Sequence, residues 1–153
     1  MTAERNKDIV IRFYEELWNR RDLGVADDIF AADCLTHQLR SGAASAGTPR
    51  GPEAVKEHVA EWHAGFPDLR FEVEGLVAEA DQVTSRSVMR GTHTGQWLGI
   101  APTGKEVSIR MCLTHRIEDG KIVEDWVLVE ALGFFQQLGL VPETREILSV
   151  SAR

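Results

Sequence analysis

The sequence lacks the residue patterns that build several common kinds of site. Its two cysteines, Cys34 and Cys112, lie far apart and outside any C-x-x-C spacing. We therefore expect both to be reduced core residues rather than metal ligands or a disulfide. The five histidines form neither an H-x-H nor an H-E-x-x-H group, which argues against a zinc site. The cysteine and histidine spacings therefore predict no metal site. No phosphate-binding glycine loop and no dinucleotide fingerprint is present either.

Long apolar runs and basic clusters are also missing. No run approaches the roughly 20 apolar residues that a membrane-spanning helix needs. The first eight residues include Glu4, Arg5, Lys7 and Asp8 and have no apolar stretch like that of a signal peptide, so we expect a cytoplasmic location. The formal net charge is −7, which argues against a nucleic-acid partner and weighs against an anionic membrane surface.

The composition is that of a globular protein. A chain of 153 residues, of which 43% are hydrophobic, can bury its own core without disulfides or metal. This length is typical of one domain, and we expect residues 1–153 to form a single domain.

Helical periodicity dominates the first half of the chain. Apolar residues recur at helical spacing over about 3–20, 25–30 and 52–66, which predicts three helices. The segment 41–51 is rich in small residues and helix breakers, and it predicts a mobile loop.

The apolar period changes to two after Leu69. The pattern predicts strands over about 70–78, 83–94, 106–118 and 122–130, followed by a short helix over 132–138. Three helices followed by a four-stranded antiparallel meander predict an α+β fold, with the helices on one face of the sheet.

Three stretches of the sequence resemble a known family. They are IRFYEELWNRRD at 11–22, RGTHTGQWLGIAPTGK at 90–105 and HRIEDGKIVEDW at 115–126, closed by LG at 132–133 and QQLG at 136–139. Together they resemble the SnoaL-like polyketide cyclases and their ester-cyclase relatives, within the nuclear transport factor-like superfamily. The resemblance covers about 6–141 and leaves 142–153 as a tail.

This resemblance implies a fold and a chemistry. The fold is a cone in which a curved antiparallel or mixed sheet wraps around N-terminal helices and encloses a deep apolar pocket. The family's cyclases use no cofactor, close a ring by intramolecular aldol condensation, and often form homodimers or larger homo-oligomers through the outer sheet face. Their acid/base carboxylate follows a tryptophan by four positions as Asp. Here Glu130 follows Trp126, which lengthens that side chain by one methylene.

Strand alternation indicates where His115 and Glu130 point. In the strand at 107–117 the odd positions are mostly apolar, so we expect His115 to face the interior, either as a core histidine or as an acid/base group. In the last strand Glu130 shares a face with Trp126 and Leu128. We expect that face to be buried, which would turn Glu130 inward. The alternative is that the strand has already ended and Glu130 caps the next helix.

Two further histidines are candidate catalytic or orienting groups. His93 lies between two glycines, where a pocket rim and a turn are both compatible with the sequence. His37 ends an extended stretch, where members of the family often carry a pocket histidine. The predicted substrate-binding residues are aromatic or long and apolar: Tyr14, Trp18, Trp62, Phe66, Met111, Trp126 and Trp97. Trp97 lies between two strands and could serve as a lid.

The sequence leaves several functions open. The leading hypothesis is a cofactor-independent cyclase that acts on an aromatic polyketide or a similar hydrophobic compound. A related hydroxylase, hydratase or epoxide hydrolase is the first alternative, because one fold hosts many chemistries. A non-catalytic module that binds a hydrophobic ligand is the second, and a structural dimerising protein is the third.

Overall fold

Helices and a mixed sheet alternate along the chain in this computed structural model, which describes residues 2–38 and 47–151. Positions 41–46 of the predicted mobile loop, which spans 41–51, lie outside the described residues. The helices are α1 (Ala3–Arg12), α2 (Val25–Ile29), α3 (Pro52–Gly65), α4 (Ala131–Gln137) and α5 (Thr144–Ser151). The strands are β1 (Phe30–Gln38), β2 (Thr48–Pro49), β3 (Arg70–Glu79), β4 (Gln82–Thr92), β5 (Glu106–Glu118) and β6 (Lys121–Val129). The predicted α+β class is confirmed.

The first helix changes its winding halfway. Thr2 caps α1 by accepting a hydrogen bond from the Arg5 backbone N–H at 3.4 Å, and α1 continues into a π-helix over Phe13–Asn19. The wider π turn buries two adjacent pairs, Phe13 with Tyr14 and Leu17 with Trp18. The predicted helix over 3–20 is therefore present, and its second half presents four large side chains to the sheet.

The sheet has the strand order β2-β1-β6-β5-β4-β3. The predicted meander from β3 to β6 is confirmed, and every neighbouring pair in it is antiparallel. The extended stretch that was expected to end at His37 belongs to β1, which pairs in parallel with β6. This parallel pairing makes the sheet mixed and places β6 between β1 and β5.

The register assigns each residue of the central strands to one of two faces. On the inner face, which packs against the helices, His115 of β5 lies opposite Asp125 of β6, and Asp125 lies opposite Thr36 of β1. On the outer face, Thr114 lies opposite Trp126. The inner face of β5 is the odd-numbered one, as predicted, and the core between sheet and helices is built on it.

A bulge separates the two ends of the β5–β6 pairing. Ile117 pairs with Ile122 but Arg116 pairs with Glu124, so Val123 has no opposite residue. Because one extra residue reverses the alternation, Ile122 and Asp125 both face inward.

The loop between β4 and β5 lies against the end of α3. The backbone N–H groups of Thr94 and Gly95 both donate to the Gly65 carbonyl, at 3.2 and 3.0 Å. A Cβ atom on Gly95 would lie 1.8 Å from the Ala64 carbonyl oxygen, so only glycine fits there. This contact fixes where the following residues of the loop enter the interior.

The C-terminal segment packs little. The side chains of Ile147, Leu148 and Val150 on α5 are 39%, 65% and 76% exposed. Among the described residues, no helix is both long and apolar enough to cross a membrane.

We predict that Gly95→Ala destabilises the protein by about 2–3 kcal/mol, because the new methyl group must push the backbone of α3 away. Urea unfolding measures the change. Gly75→Ala in β3 is the matched control, since a Cβ there meets only the end of the Arg86 side chain at 3.8 Å. We expect the control to stay within about 0.5 kcal/mol of the parent. Equal stability of the two variants would contradict the close contact.

Candidate active site on the inner face of the sheet

A carboxylate lies in the interior of the protein where three strands meet. Asp125 is 5% exposed, and its Oδ1 atom accepts a hydrogen bond from the Thr36 hydroxyl at 2.5 Å. Burial raises the pKa of Asp125, against the Thr36 hydrogen bond and the charge of Arg50, which favour the ionised form. A carboxyl group whose pKa is raised in this way suits proton transfer near neutral pH.

Arg50 brings a positive charge to the same region. It follows β2, whose short pairing with β1 includes a hydrogen bond from the Arg50 backbone N–H to the Cys34 carbonyl at 2.7 Å. Burial lowers the pKa of Arg50, and the charge of Asp125 opposes that shift. The guanidinium remains a cation, because even a lowered arginine pKa stays far above neutral.

Two more groups respond to the Arg50 charge. Burial lowers the pKa of His58 on α3 to about 3, and Arg50 adds to this shift. Burial raises the pKa of Cys34 on β1 to about 12, with Asp125 adding to the shift and Arg50 opposing it. His58 is therefore neutral and Cys34 is a thiol at neutral pH, which leaves the Asp125 carboxyl group and the Arg50 guanidinium as the groups of this site that can carry charge.

His115 faces the interior, as the sequence predicts. It is fully buried, and its ring lies 4.9 Å from the ring of Phe13 in an edge-on arrangement. Neither ring nitrogen has a hydrogen-bond partner among the described residues. Burial lowers the pKa of His115 to about 4, so the ring is neutral at physiological pH and carries one N–H donor.

Tyr14 was predicted to bind substrate, and its hydroxyl is already fully engaged. The Ser85 hydroxyl donates to the Leu113 carbonyl at 3.3 Å, so Tyr14 must donate to Ser85 at 2.8 Å. The Ser87 hydroxyl in turn donates to Tyr14 at 3.2 Å. Burial raises the pKa of Tyr14, and the closed network gives this side chain a packing role.

The predicted inward orientation of Glu130 is wrong. Leu128 is 50% exposed, Glu130 is exposed, and Trp126 lies on the outer face. The bulge at Val123 is the reason, because it moves this whole alternating set outward. β6 ends at Val129, and Glu130 is the N-cap residue of α4 without a capping hydrogen bond from its side chain.

His37 also lies on the outer face, away from the interior carboxylate. Its ring stacks on Trp126 at 5.2 Å, and its Nε2 atom lies 2.7 Å from Glu124 Oε1. The Arg116 side chain donates to the other oxygen of Glu124 at 2.9 Å. Cys112 is exposed on the same face, so its predicted core position is wrong. The homodimer or larger homo-oligomer expected to form through this face stays a prediction.

Three of the predicted aromatic residues form, together with Phe134, a second interior region, which we call the aromatic chamber. It consists of Trp62 of α3, Phe66 directly after α3, Trp97 of the β4–β5 loop and Phe134 of α4. The closest pair of rings, Trp62 and Trp97, lies 4.6 Å apart. His93 stacks on Phe66 at 5.0 Å and is fully buried. The predicted lid residue Trp97 is thus 5% exposed and forms a wall of this chamber.

Two further predicted binding residues also face the interior. Met111 is on the inner face of β5, half-buried, opposite Val129. Trp18 is 6% exposed and lies edge-on to His58 at 5.9 Å. Its indole N–H is buried and has no partner among the described residues.

The far end of the sheet carries a different surface. A depression of about 440 Å³ there is lined by Asn6, Ala80, Asp81, Ile117, Glu118 and Asp119. It contains none of the predicted site residues. Within residues 2–38 and 47–151, no three His, Cys, Asp or Glu side chains are grouped to hold a metal ion.

The sequence interpretation missed both charged residues of the interior. Asp125 was missed because strict alternation was extended through the bulge at Val123, and no glycine marks that bulge. Arg50 lies in a loop-like stretch, Thr48-Pro49-Arg50-Gly51-Pro52, which has no periodicity to indicate its direction. The pairing of β2 with β1 brings this stretch next to Thr36, which lies opposite Asp125.

Comparison with known proteins agrees with this architecture. The solved structure of IdmH, a candidate polyketide cyclase from Streptomyces antibioticus, superposes with a TM-score of 0.74 at 31% identity, covering 88% of this chain and 98% of IdmH. The structure of AclR, a candidate hydroxylase from Streptomyces galilaeus, superposes with a TM-score of 0.79 at 27% identity, covering 99% of this chain and 92% of AclR.

Sequence comparison leads to the same group of proteins. The chain is 33% identical over 120 residues to the aklanonic acid methyl ester cyclase AcmA of Streptomyces galilaeus, covering 76% of this chain and 81% of AcmA. It is 30% identical over 138 residues to the aklanonic acid methyl ester cyclase DauD of Streptomyces sp. (strain C5), covering 86% of this chain and 80% of DauD. The family model described as SnoaL-like polyketide cyclase matches residues 8–138. The chain therefore belongs to the SnoaL-like polyketide cyclase family.

Proposed function

We propose that this protein closes a ring in a hydrophobic, carbonyl-rich substrate by acid/base catalysis without a cofactor, and that Asp125 transfers the proton. The observation that carries this proposal is a buried carboxyl group whose pKa is raised by burial and which feels the positive charge of the half-buried Arg50. The kinship with the two aklanonic acid methyl ester cyclases supports a substrate of that chemical class.

The reaction would be an intramolecular aldol addition. The ionised Asp125 carboxylate removes a proton from a carbon next to a carbonyl group, which leaves an enolate. The enolate carbon forms a bond to a second carbonyl carbon of the same molecule, and the resulting alkoxide takes the proton back from Asp125. Substrate and product are isomers, so no oxidant, reductant or leaving group is needed.

Arg50 would stabilise the negative charge that moves through this sequence. The enolate and the alkoxide both place charge on an oxygen atom, and a fixed cation in a water-poor interior stabilises such charge more strongly than water does. Thr36 holds Asp125 by a hydrogen bond at 2.5 Å, which makes it a positioning residue.

The unpartnered donors of the interior also favour a carbonyl-rich substrate. Trp18 contributes one buried indole N–H, and the neutral ring of His115 contributes one N–H, and neither has an acceptor among the described residues. A buried donor left without an acceptor costs about 1–3 kcal/mol. The oxygens of a polyketide could accept these hydrogen bonds while its carbon skeleton contacts Phe13 and the surrounding aromatic rings.

A hydroxylase is the second candidate, because the likeness to AclR extends over 99% of this chain. The two activities differ in product composition. Ring closure leaves the mass unchanged, whereas hydroxylation adds one oxygen atom, so mass spectrometry of the same reaction separates them.

We predict that the purified protein converts aklanonic acid methyl ester into an isomer with a shifted retention time in liquid chromatography–mass spectrometry. Asp125→Asn should lower kcat by about 10²–10⁴-fold, the usual contribution of a general acid/base group. Arg50→Gln should also lower kcat, because the cation acts on charge that develops during the reaction.

The matched control is Asp119→Asn in the β5–β6 turn. Asp119 is exposed and has a φ of 48°, a conformation that Asn tolerates, so the control should keep the parental rate. Full activity of folded Asp125→Asn would overturn the assignment. Loss of activity in Glu130→Gln alone would return the acid/base role to Glu130. Tight binding without any product would favour the binding module.

We predict that the free energy of unfolding falls as the pH drops from about 6.5 to 4. The pKa of His115 is about 4 in the folded protein and near 6.5 when unfolded. Across that window the unfolded chain binds the proton and the folded protein does not, so acid favours unfolding. The loss attributable to His115 is on the order of 3 kcal/mol. Urea unfolding of the parent and of His115→Leu across this pH range tests it: the variant should show a flatter slope, and parallel slopes would contradict the assignment.

A further inference from the structure

A second pair of polar side chains lies directly behind Asp125, on the other side of the sheet. In β1 His37 follows Thr36, and in β6 Asp125 follows Glu124; the parallel register aligns Thr36 with Asp125. Successive side chains of a strand point to opposite faces. The Thr36 hydroxyl therefore meets Asp125 on the inner face at 2.5 Å, and His37 Nε2 lies 2.7 Å from Glu124 Oε1 on the outer face. Only the sheet itself separates the two carboxyl groups.

The ring of His37 is held in place on the outer face. It stacks on Trp126, with ring centroids 5.2 Å apart and an angle of 6° between the planes. A Cβ atom on Gly47 would lie 2.8 Å from the Cε1 atom of His37, so the Gly47 backbone packs closely against this ring. The side chains of His37 and Glu124 are 13% and 18% exposed, and partly buried charges are screened much less than fully exposed ones.

Glu124 brings a negative charge to this position. The hydrogen bond from His37 lowers its pKa, burial opposes that shift, and the hydrogen bond from Arg116 lowers it further. Besides burial, which raises the pKa of Asp125 most, the charge of His37 lowers that pKa and the charge of Glu124 raises it. The two members of the outer pair therefore act on Asp125 in opposite directions.

The other titratable groups around Asp125 keep one charge state near neutral pH. Arg50 is a cation and Cys34 is a thiol, while His58 and His115 are neutral rings. Substitution of the outer pair therefore removes a charge near Asp125 without altering any side chain of the interior.

We propose that His37 and Glu124 are positioning residues that act on Asp125 through the sheet, and that their opposite charges set the pH range in which the Asp125 carboxylate can take up a proton. The role of Asp125 as the proton-transfer group rests on the proposed function, whereas the coupling rests on the two pairs lying back to back. Both residues lie on the outer face, so they act without contacting a substrate in the interior.

The first experiment measures the pKa of Asp125 by carboxyl-carbon NMR of the folded protein without substrate, with Asp125→Asn as the assignment control. Glu124→Gln removes the negative charge and keeps an acceptor oxygen for His37, so the pKa of Asp125 should fall. His37→Gln removes the charge that the ring can carry and keeps an N–H donor for Glu124, so the pKa of Asp125 should rise. We expect shifts of about 0.5 pH unit in each direction, because these charges act partly through protein rather than through bulk water.

The direction of the shifts separates an effect of charge from a loosening of the strands. Loosening would admit water to Asp125 and lower its pKa in both variants. Shifts of the same sign, or no shift in either variant, would therefore overturn the proposal. If His37→Gln does not fold, Arg116→Gln replaces it: it removes the cation that donates to the other oxygen of Glu124, and the pKa of Asp125 should again rise.

Glu74→Gln is the matched control. Glu74 is also a glutamate paired with an arginine of the sheet, since it lies 3.0 Å from Arg86. It belongs to β3 at the far edge of the sheet, three strands from β6, so the pKa of Asp125 should stay at the parental value. A shift as large as that of Glu124→Gln would contradict the local action of the outer pair.

The pH dependence of kcat separates this inference from the proposed function. With Asp125 as the base, the acid limb of the kcat profile should move to lower pH in Glu124→Gln and to higher pH in His37→Gln, while KM stays near the parental value. Opposite NMR shifts in a protein that closes no ring would leave the coupling in place and remove the proposed function. Ring closure by a protein in which the pKa of Asp125 ignores both substitutions would do the reverse.

Discussion

The one-residue bulge at Val123 decides which side chains of the last strand face the interior. Because side chains alternate along a strand, one unpaired residue reverses the face of everything that follows. Asp125 is therefore buried beside Thr36 and opposite His115, while Trp126 and Leu128 face outward. The interior carboxylate, its positioning hydroxyl and the exposure of Glu130 all follow from this register.

The helices enclose the polar residues that this register places on the inner face of the sheet. The π-helical segment at Phe13–Asn19 presents Phe13 to His115 and Trp18 to His58, so the polar residues of the sheet are enclosed by aromatic rings. Enclosure raises the pKa of Asp125 and lowers that of His115, since burial disfavours the charged form of each. Arg50 remains charged in this setting, so the interior holds one cation and one carboxyl group whose proton can move.

The α4 helix and the β4–β5 loop close the other half of the interior. Gly95 and Gly65 let the loop approach the end of α3. The loop thereby places Trp97 against Trp62, and its Thr103 backbone N–H donates a hydrogen bond to His93. The indole N–H of Trp97 is buried in this chamber and has no partner among the described residues.

Much of this architecture follows from the sequence alone. Helical and alternating periodicity predicted the helices, the meander and the inward direction of His115, because both patterns report local burial on one face. The family motifs at 90–105 and 115–126 predicted the fold class. The site was predicted less well: Asp125 and Arg50 were missed, Glu130 and Trp126 were assigned to the wrong face, and His37, expected near the pocket, lies on the outer face. Alternation cannot reveal an unpaired residue, and the direction of Arg50 depends on β2 pairing with β1. Such facts arise only when distant segments meet, so tertiary structure alone decided them.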